Sequence, residues 1–319
     1  MSPFWQQYLP LAIILSSLIP GLIIFTLKET QVKLRISLNL LGVSIKLVLV
    51  LLMWQAVKAG QQFYFSLPFL PGADLVLQGD ALSLLFVVLS SVLWLATTIY
   101  AIGYLEHSPL RSRFFGYFSL CVSATVGLAL AGNLVTFLLF YELLTLATFP
   151  LVVHRGTAES LAAGRKYLAY TLSGGVILML GVVLLHSLLQ SPLFTPGGYV
   201  AAVLSGNEGL LMLAFALMIT GLGVKAALLP LHGWLPQAMV ATDYRYSSSI
   251  TANMAVSRAR PVQVILWLRS VPSRVAPSFS TAAWLRALTA SVMISTRTMP
   301  LSKACVSFWV KTPRAAPCG

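Results

Sequence analysis

Three ionisable residues lie inside long apolar runs of this 319-residue chain, Glu142, Lys225 and the weaker candidate Lys46. An ionised side chain at bilayer depth costs at least about 2.5–3.5 kcal/mol on insertion scales, so a Glu and a Lys kept there mark a pathway or a fixed pair. Glu142 sits in Phe140-Tyr141-Glu142-Leu143-Leu144-Thr145, with only Tyr141 and Thr145 as polar neighbours. Lys225 sits in Gly221-Leu222-Gly223-Val224-Lys225-Ala226-Ala227, where Gly221 and Gly223 permit close helix approach or a helix break. On neighbouring spans a carboxylate and an ammonium bias each other's protonation, so a change in their separation lets the lysine release and recover a proton. A static ion pair pinning two helices has the same sequence, and both readings stay open at this point.

The segment Leu229-Pro230-Leu231-His232-Gly233-Trp234-Leu235-Pro236 follows directly. Proline lacks the backbone donor and clashes in a helix interior, so Pro230 and Pro236 predict an interrupted helix. Interrupted backbone at membrane depth is tolerated where it is buried in protein or lines a wet cavity. His232, with an intrinsic pKa near 6.5, is then placed to pass protons between Lys225 and water; the plainer alternative is a Pro-rich exit turn. Lys46, mid-run in Val43-Ser44-Ile45-Lys46-Leu47, is an accessory candidate whose long stem allows it to snorkel to an interface. His186 reads as an interfacial side chain, and Tyr167 with Tyr170 as an aromatic belt. Cys121, Cys305 and Cys318 are too scattered for a metal site or a disulfide framework. With no Cys cluster, His pair or Gly-rich phosphate loop, no cofactor is expected in this chain.

The elements that must position these residues are membrane spans. The chain is 58% hydrophobic and 9% charged, against about 25% charged in a soluble domain. That excludes a globular cytosolic enzyme. Apolar stretches of spanning length fall near 8–27, 36–57, 81–104, 114–131, 133–153, 167–189 and 208–229. Continuous runs of about 20 residues are helices, not the alternating strands of a barrel. No Lys or Arg precedes Lys28, so the first run lacks the basic start of a secretory signal and reads as a retained span.

Basic residues set the expected orientation. The first, third and fifth gaps carry Lys28, Lys33 and Arg35, then Arg111 and Arg113, then Arg155, Arg165 and Lys166; the even gaps carry Lys58 alone. Odd gaps on the cytoplasmic side, with the N-terminus outside, satisfy the positive-inside rule. The net charge of +13 is concentrated at one end. Residues 1–243 hold 11 Lys and Arg against 8 acids, whereas residues 244–319 hold 10 Lys and Arg and no acid. We therefore divide the chain into a transmembrane domain, 1–242, and a basic Arg/Ser-rich segment, 243–319. That segment reads as an out-of-frame continuation, a disordered stretch or a tail contacting anionic lipid. Its aromatics Tyr244, Tyr246, Trp267, Trp284 and Trp309 are too irregular for a stacking platform, so no nucleic acid is expected as a partner.

The run Leu229 to Ala241, with Lys225 just upstream, resembles the signature of the proton-conducting antiporter-like membrane subunits. These occur in respiratory complex I, in multisubunit cation/proton antiporters and in membrane-bound hydrogenases. Tyr141-Glu142-Leu143, Ala163-Gly164-Arg165-Lys166-Tyr167 and Asp80-Ala81-Leu82-Ser83 are similar to the family as well. The resemblance implies an all-α polytopic fold of about fourteen helices with two inverted five-helix repeats. This chain would supply seven to eight helices and the first repeat. It also implies that Glu142 and Lys225 are the key glutamate and broken-helix lysine, that His232 is the signature histidine, and that Lys46 has no counterpart. After Ala241 the family pattern gives way to Thr242-Asp243-Tyr244-Arg245, leaving the second repeat missing. The expected setting is a multi-pass inner-membrane subunit partnered by lipid and by other membrane subunits. A redox complex, a sodium/proton antiporter and a non-transporting structural subunit all remain open.

Overall fold

The computed structural model describes residues 3–70, 73–105, 110–189, 193–194 and 207–241. All of them lie within residues 1–275, the first of two units into which the chain divides. The basic segment 243–319 lies outside the described residues. Seven described helices are long and apolar enough to cross a membrane. They are α1 (Pro3–Thr26), α2 (Val32–Lys58), α3 (Ala81–Tyr104), α4 (Arg111–Leu130), α5 (Leu134–Val152), α6 (Ala158–Leu189) and α7 (Glu208–Lys225). A short helix, α8 (Leu235–Ala241), follows the Pro-rich break. The chain is a multi-pass membrane protein, and the outer faces carry the exposed Leu41, Val48, Leu85, Ile99 and Val183 that a lipid environment accepts.

The helices do not share the burial equally. In α4, 83% of the span is buried, against at most 50% in any other. It packs on α1, α3 and α5, and its shielding from lipid explains why the least apolar span can carry Ser119, Ser123 and Thr125. Ser123 and Thr125 turn their hydroxyls back to the carbonyls of Ser119 and Cys121. The start of α4 is fixed by Glu29 in the loop after α1. Its carboxylate accepts from the backbone N–H groups of Arg111 and Ser112 at 3.1 Å each, the favourable place for negative charge at a helix N-terminus. Arg35 donates to the same carboxylate and to Ser112 Oγ at 2.6 Å.

Two departures from the sequence reading stand out. The expected helical architecture holds, and between α2 and α3 it carries a β-hairpin absent from the sequence reading: β1 (Phe63–Leu70) pairs antiparallel with β2 (Ala73–Gly79), from Phe63 opposite Gly79 to Leu67 opposite Leu75. Phe63, Phe65 and Leu77 are buried against Leu9, Ile13 and Met53, while Tyr64 between the two phenylalanines faces out. This is the period-two alternation of a half-buried strand pair. The second departure is α6, which begins at Ala158 instead of 167. Its 32 residues span about 48 Å at 1.5 Å each, so the first turns carry Glu159, Arg165 and Lys166 beyond the hydrocarbon.

The hairpin is tied to the α4–α5 turn. Asn133 caps α5 by accepting from Thr136 N–H at 2.8 Å and donates Nδ2 to the Asp74 carbonyl at 2.8 Å. Thr136 Oγ1 accepts from Val76 N–H, and Gly132 N–H donates to the Val76 carbonyl, both at 2.8 Å. Asn133→Ala removes the cap and leaves the Asp74 carbonyl without that donor. It should cost about 1–2 kcal/mol, read as a lower unfolding midpoint in detergent micelles; an unchanged midpoint would show the hairpin to be held by its apolar face alone.

Candidate functional site

The site forms where the C-terminal end of α7 meets α5 and α6. Helices α6 and α7 approach through small residues. Gly174 lies against Val224, Gly181 against Met218, and Gly221 against the Gly174 backbone, so that a Cβ at Gly221 would stand 2.6 Å from the Gly174 carbonyl oxygen. The expectation that Gly221 and Gly223 mark the helix break is therefore corrected. Both lie inside α7, where missing side chains allow contact with Leu178 and Leu228.

The break comes immediately after Lys225. Ala227 takes a left-handed φ of 53°, its N–H donates to the Val224 carbonyl, and Leu228 N–H reaches back to the Gly223 carbonyl at 2.9 Å. This is a Schellman ending, with alanine at the position glycine usually fills. Trp234 Nε1 adds a second donor to the Val224 carbonyl at 2.9 Å. The chain then runs through a cis Leu229–Pro230 bond into α8. Pro230 lies between α7 and α8. Pro236 instead occupies the first turn of α8, where its missing N–H leaves no helical bond unmade.

Lys225 is buried, 6% exposed. Its ammonium donates to the Tyr141 carbonyl and to Thr145 Oγ1, both at 2.6 Å, and lies 3.7 Å from the centre of the Tyr141 ring. The carbonyl end of α7 adds the negative end of its dipole. Taking an ammonium out of water costs several kcal/mol, and these contacts offset part of that cost with no carboxylate within 4.0 Å. Around them, Tyr141 Oη donates to the Gly221 carbonyl at 3.2 Å and Tyr167 Oη to the Thr145 carbonyl at 3.3 Å. Tyr167, read from sequence as an aromatic belt, is buried edge-to-face on Trp234. The sequence reading did not give Tyr167 and Trp234 a place in the site. Their only signal was proximity to recognised residues, since the acceptors they meet are backbone carbonyls.

Glu142 lies on α5 beside Tyr141 but does not pair with the lysine: no Glu142 oxygen comes within 4.0 Å of Lys225 Nζ. The carboxylate is half-buried over Gly175 of α6, where its Oε1 has no hydrogen-bond partner. A static ion pair is thereby excluded for this arrangement. His232 is exposed on the turn before Trp234 and makes no side-chain hydrogen bond to Lys225. Lys46 belongs to a different region. It does not snorkel, being fully buried with its ammonium 2.6 Å from Ser17 Oγ and 4.8 Å from the Trp94 ring centre. Among the described residues, no group of three or more His, Cys, Asp or Glu side chains is placed to hold a metal ion.

Residues 131–303 match the family described as NADH:quinone oxidoreductase/Mrp antiporter, transmembrane, and residues 72–115 match the N-terminus of chain 5 of NADH-ubiquinone oxidoreductase (complex I). The first match runs past residue 242, where composition had placed a boundary. The chain belongs to this family, whose members are membrane subunits of proton-pumping complexes or of Mrp antiporters. It is 28% identical over 306 residues to NAD(P)H-quinone oxidoreductase chain 5 of Picosynechococcus sp., which covers 91% of this chain and 46% of that one. It is 30% identical over 213 residues to Na(+)/H(+) antiporter subunit A1 of Staphylococcus aureus, covering 65% and 26%. The fold is similar to a chain of the Mrp complex from Dietzia sp., with a TM-score of 0.69 at 20% identity, covering 84% of this chain and 49% of that one. The chain thus spans about half the length of these relatives or less.

The packing at Gly221 has a direct test. Gly221→Ala should force α6 and α7 apart at a cost of about 1–3 kcal/mol, lowering the unfolding midpoint. Gly209→Ala, with open space around it, should leave it unchanged or raise it by about 1 kcal/mol through helix propensity. Equal midpoints for the two variants would mean that the close approach is not what holds α7 in place.

Proposed function

We propose that this chain is a membrane subunit of a proton-translocating complex of the NADH:quinone oxidoreductase or hydrogenase type. Glu142 and Lys225 serve as successive proton carriers, and His232 exchanges protons between the break and water. The reading rests above all on one observation: a buried ammonium held by a carbonyl, a hydroxyl and a ring, beside an unpaired, half-buried carboxylate on the next residue of the same helix. An arrangement built for rigidity would close that pair. Kept apart, each group is free to change its protonation when a neighbouring charge moves. The four-carbon stem of Lys225 allows its ammonium to leave Tyr141 and Thr145 for Glu142 on one side and for the broken segment on the other.

In this reading redox chemistry, where present, belongs to partner subunits, and the chain takes its driving force electrostatically from them. The N-terminus lies outside, and the loops bearing Arg111 and Arg113, and Arg155 and Lys166, are cytoplasmic in the inner membrane. A second reading, as a subunit of a multisubunit sodium/proton antiporter, draws support from the 30% identity to Na(+)/H(+) antiporter subunit A1. Sodium dependence of the proton flux separates the two.

The test is proton movement in membranes carrying the assembled complex. Lys225→Met should abolish coupled proton movement without loss of the chain from the membrane. Lys225→Arg, which keeps a charge that does not titrate, should fail as well. Glu142→Gln should reduce the rate while leaving the unfolding midpoint within about 0.5 kcal/mol of the parent. Normal pumping in Lys225→Met would overturn the relay.

A further inference from the structure

A second buried lysine stands apart from the Lys225 site. Lys46 has no carboxylate partner among the described residues, where the only ion pair is Arg35 with Glu29. Its surroundings are polar but incompletely bonded. Ser17 Oγ accepts from Lys46 at 2.6 Å and from Ser123 Oγ at 2.8 Å. On α2, α3 and α4, the Asn39 amide, Trp94 Nε1, Thr98 Oγ1, Ser90 Oγ and Ser119 Oγ are all buried without a hydrogen-bond partner, and the Trp94 ring is the one that Lys46 faces. Each of these residues is at most 1% exposed. Buried polar groups left unpaired by protein atoms are those that ordered water ordinarily satisfies.

The groups are arranged in register. On α2, Arg35, Asn39 and Lys46 fall within about 40° of one another around the helix, and on α4 so do Ser112, Ser119 and Ser123. Arg35 bonds Ser112 at one level, and Lys46 joins Ser123 through Ser17 at the other, about 16 Å along the axis. Asn39 and Ser119, both unpaired, lie between those levels in sequence. Helix α1 contributes a further acceptor. Pro20 cannot donate to the Ser16 carbonyl, and a Cβ on Gly42 of α2 would stand 2.9 Å from that oxygen. On α3, Thr98 lies one turn from Trp94, toward the end where Ala101 and Leu105 meet Ile24 and Phe114.

We propose that Lys46 is the inner end of a second, water-holding proton site, reached from the Arg35 end of the bundle along this seam between α1, α2, α3 and α4. Water there completes the bonding of Asn39, Thr98, Trp94 and Ser119 and gives the Lys46 ammonium acceptors beyond Ser17. The site goes beyond the Glu142–Lys225 pathway and shares no residue with it.

The test is reachability by water-borne reagent in membranes carrying the whole chain, with Cys121, Cys305 and Cys318 replaced by Ala. Asn39→Cys, Thr98→Cys and Ser119→Cys probe the seam. Val43→Cys and Ala124→Cys, at fully buried apolar positions on the same helices as Asn39 and Ser119, are the controls. The probe is the small anionic reagent 2-sulfonatoethyl methanethiosulfonate. The seam cysteines should react about tenfold faster than the controls or more, as a hydrated site requires, and from the side that labels the exposed Lys33→Cys. Seam cysteines no more reactive than the controls overturn the proposal, as does labelling only from the opposite side. Ser119→Cys and Thr98→Cys change little volume, so a folding failure at Asn39→Cys leaves the test intact. Labelling needs no transport. Inert seam cysteines in a chain that loses transport with Lys225→Met defeat the second site alone, and reactive seam cysteines in a chain that pumps with Lys225→Met defeat the pathway alone.

Discussion

The bond from the Lys225 ammonium to the Tyr141 carbonyl is the contact around which the second half of the bundle is arranged. At membrane depth there is no bulk water to satisfy a cation or a helix end, so both must find partners inside the protein. The two needs are met together. The α7 backbone ends at Lys225, its last carbonyls take donors from Ala226, Ala227, Leu228 and Trp234, and the lysine crosses to α5. Close packing of α6 on α7 through Gly174 and Gly221 brings that helix end within reach.

Both buried lysines use the same chemistry on different helices. Lys46 meets a hydroxyl at 2.6 Å and the face of Trp94; Lys225 meets a hydroxyl at 2.6 Å and the face of Tyr141. Hydroxyls and ring faces stabilise an ammonium without fixing it as a carboxylate would, since neither carries a full charge. They also leave the neutral amine tolerably placed. A protein that only had to glue helices together would gain more from apolar packing. The same pair of contacts, a hydroxyl and a ring face, thus holds a buried ammonium in two places.

Much of this was legible in the sequence, for identifiable reasons. The seven spans were visible because lipid demands long apolar runs, and Glu142 and Lys225 because ionised residues are rare within them. The hairpin was not seen. Its strands sit in a gap between spans, and the alternation of buried Phe63 and Phe65 with exposed Tyr64 is short beside the helical runs. Glycine is ambiguous by nature: Gly221 and Gly223 suit a break or a close approach, and only the partner helix decides. The acceptor for Lys225 is a backbone carbonyl, which has no residue type and so no signature. Burial of Lys46 depends on Ser17 and Trp94 from two other helices, information no local window contains.

The separation of Glu142 from Lys225 follows from the geometry of α5. Tyr141 and Glu142 are adjacent on α5, so their side chains leave the helix about 100° apart. One residue serves the lysine with its carbonyl and ring, while the next turns its carboxylate toward Gly175 on α6. Glycine at 175 leaves that space open, and a Cβ there would displace the carboxylate. The same helix thus holds the cation and keeps the nearest acid away from it. A shift of the lysine stem would change partners without moving the backbone. What resists such a shift is then the loss of two hydrogen bonds and a ring contact, not the unpacking of a helix.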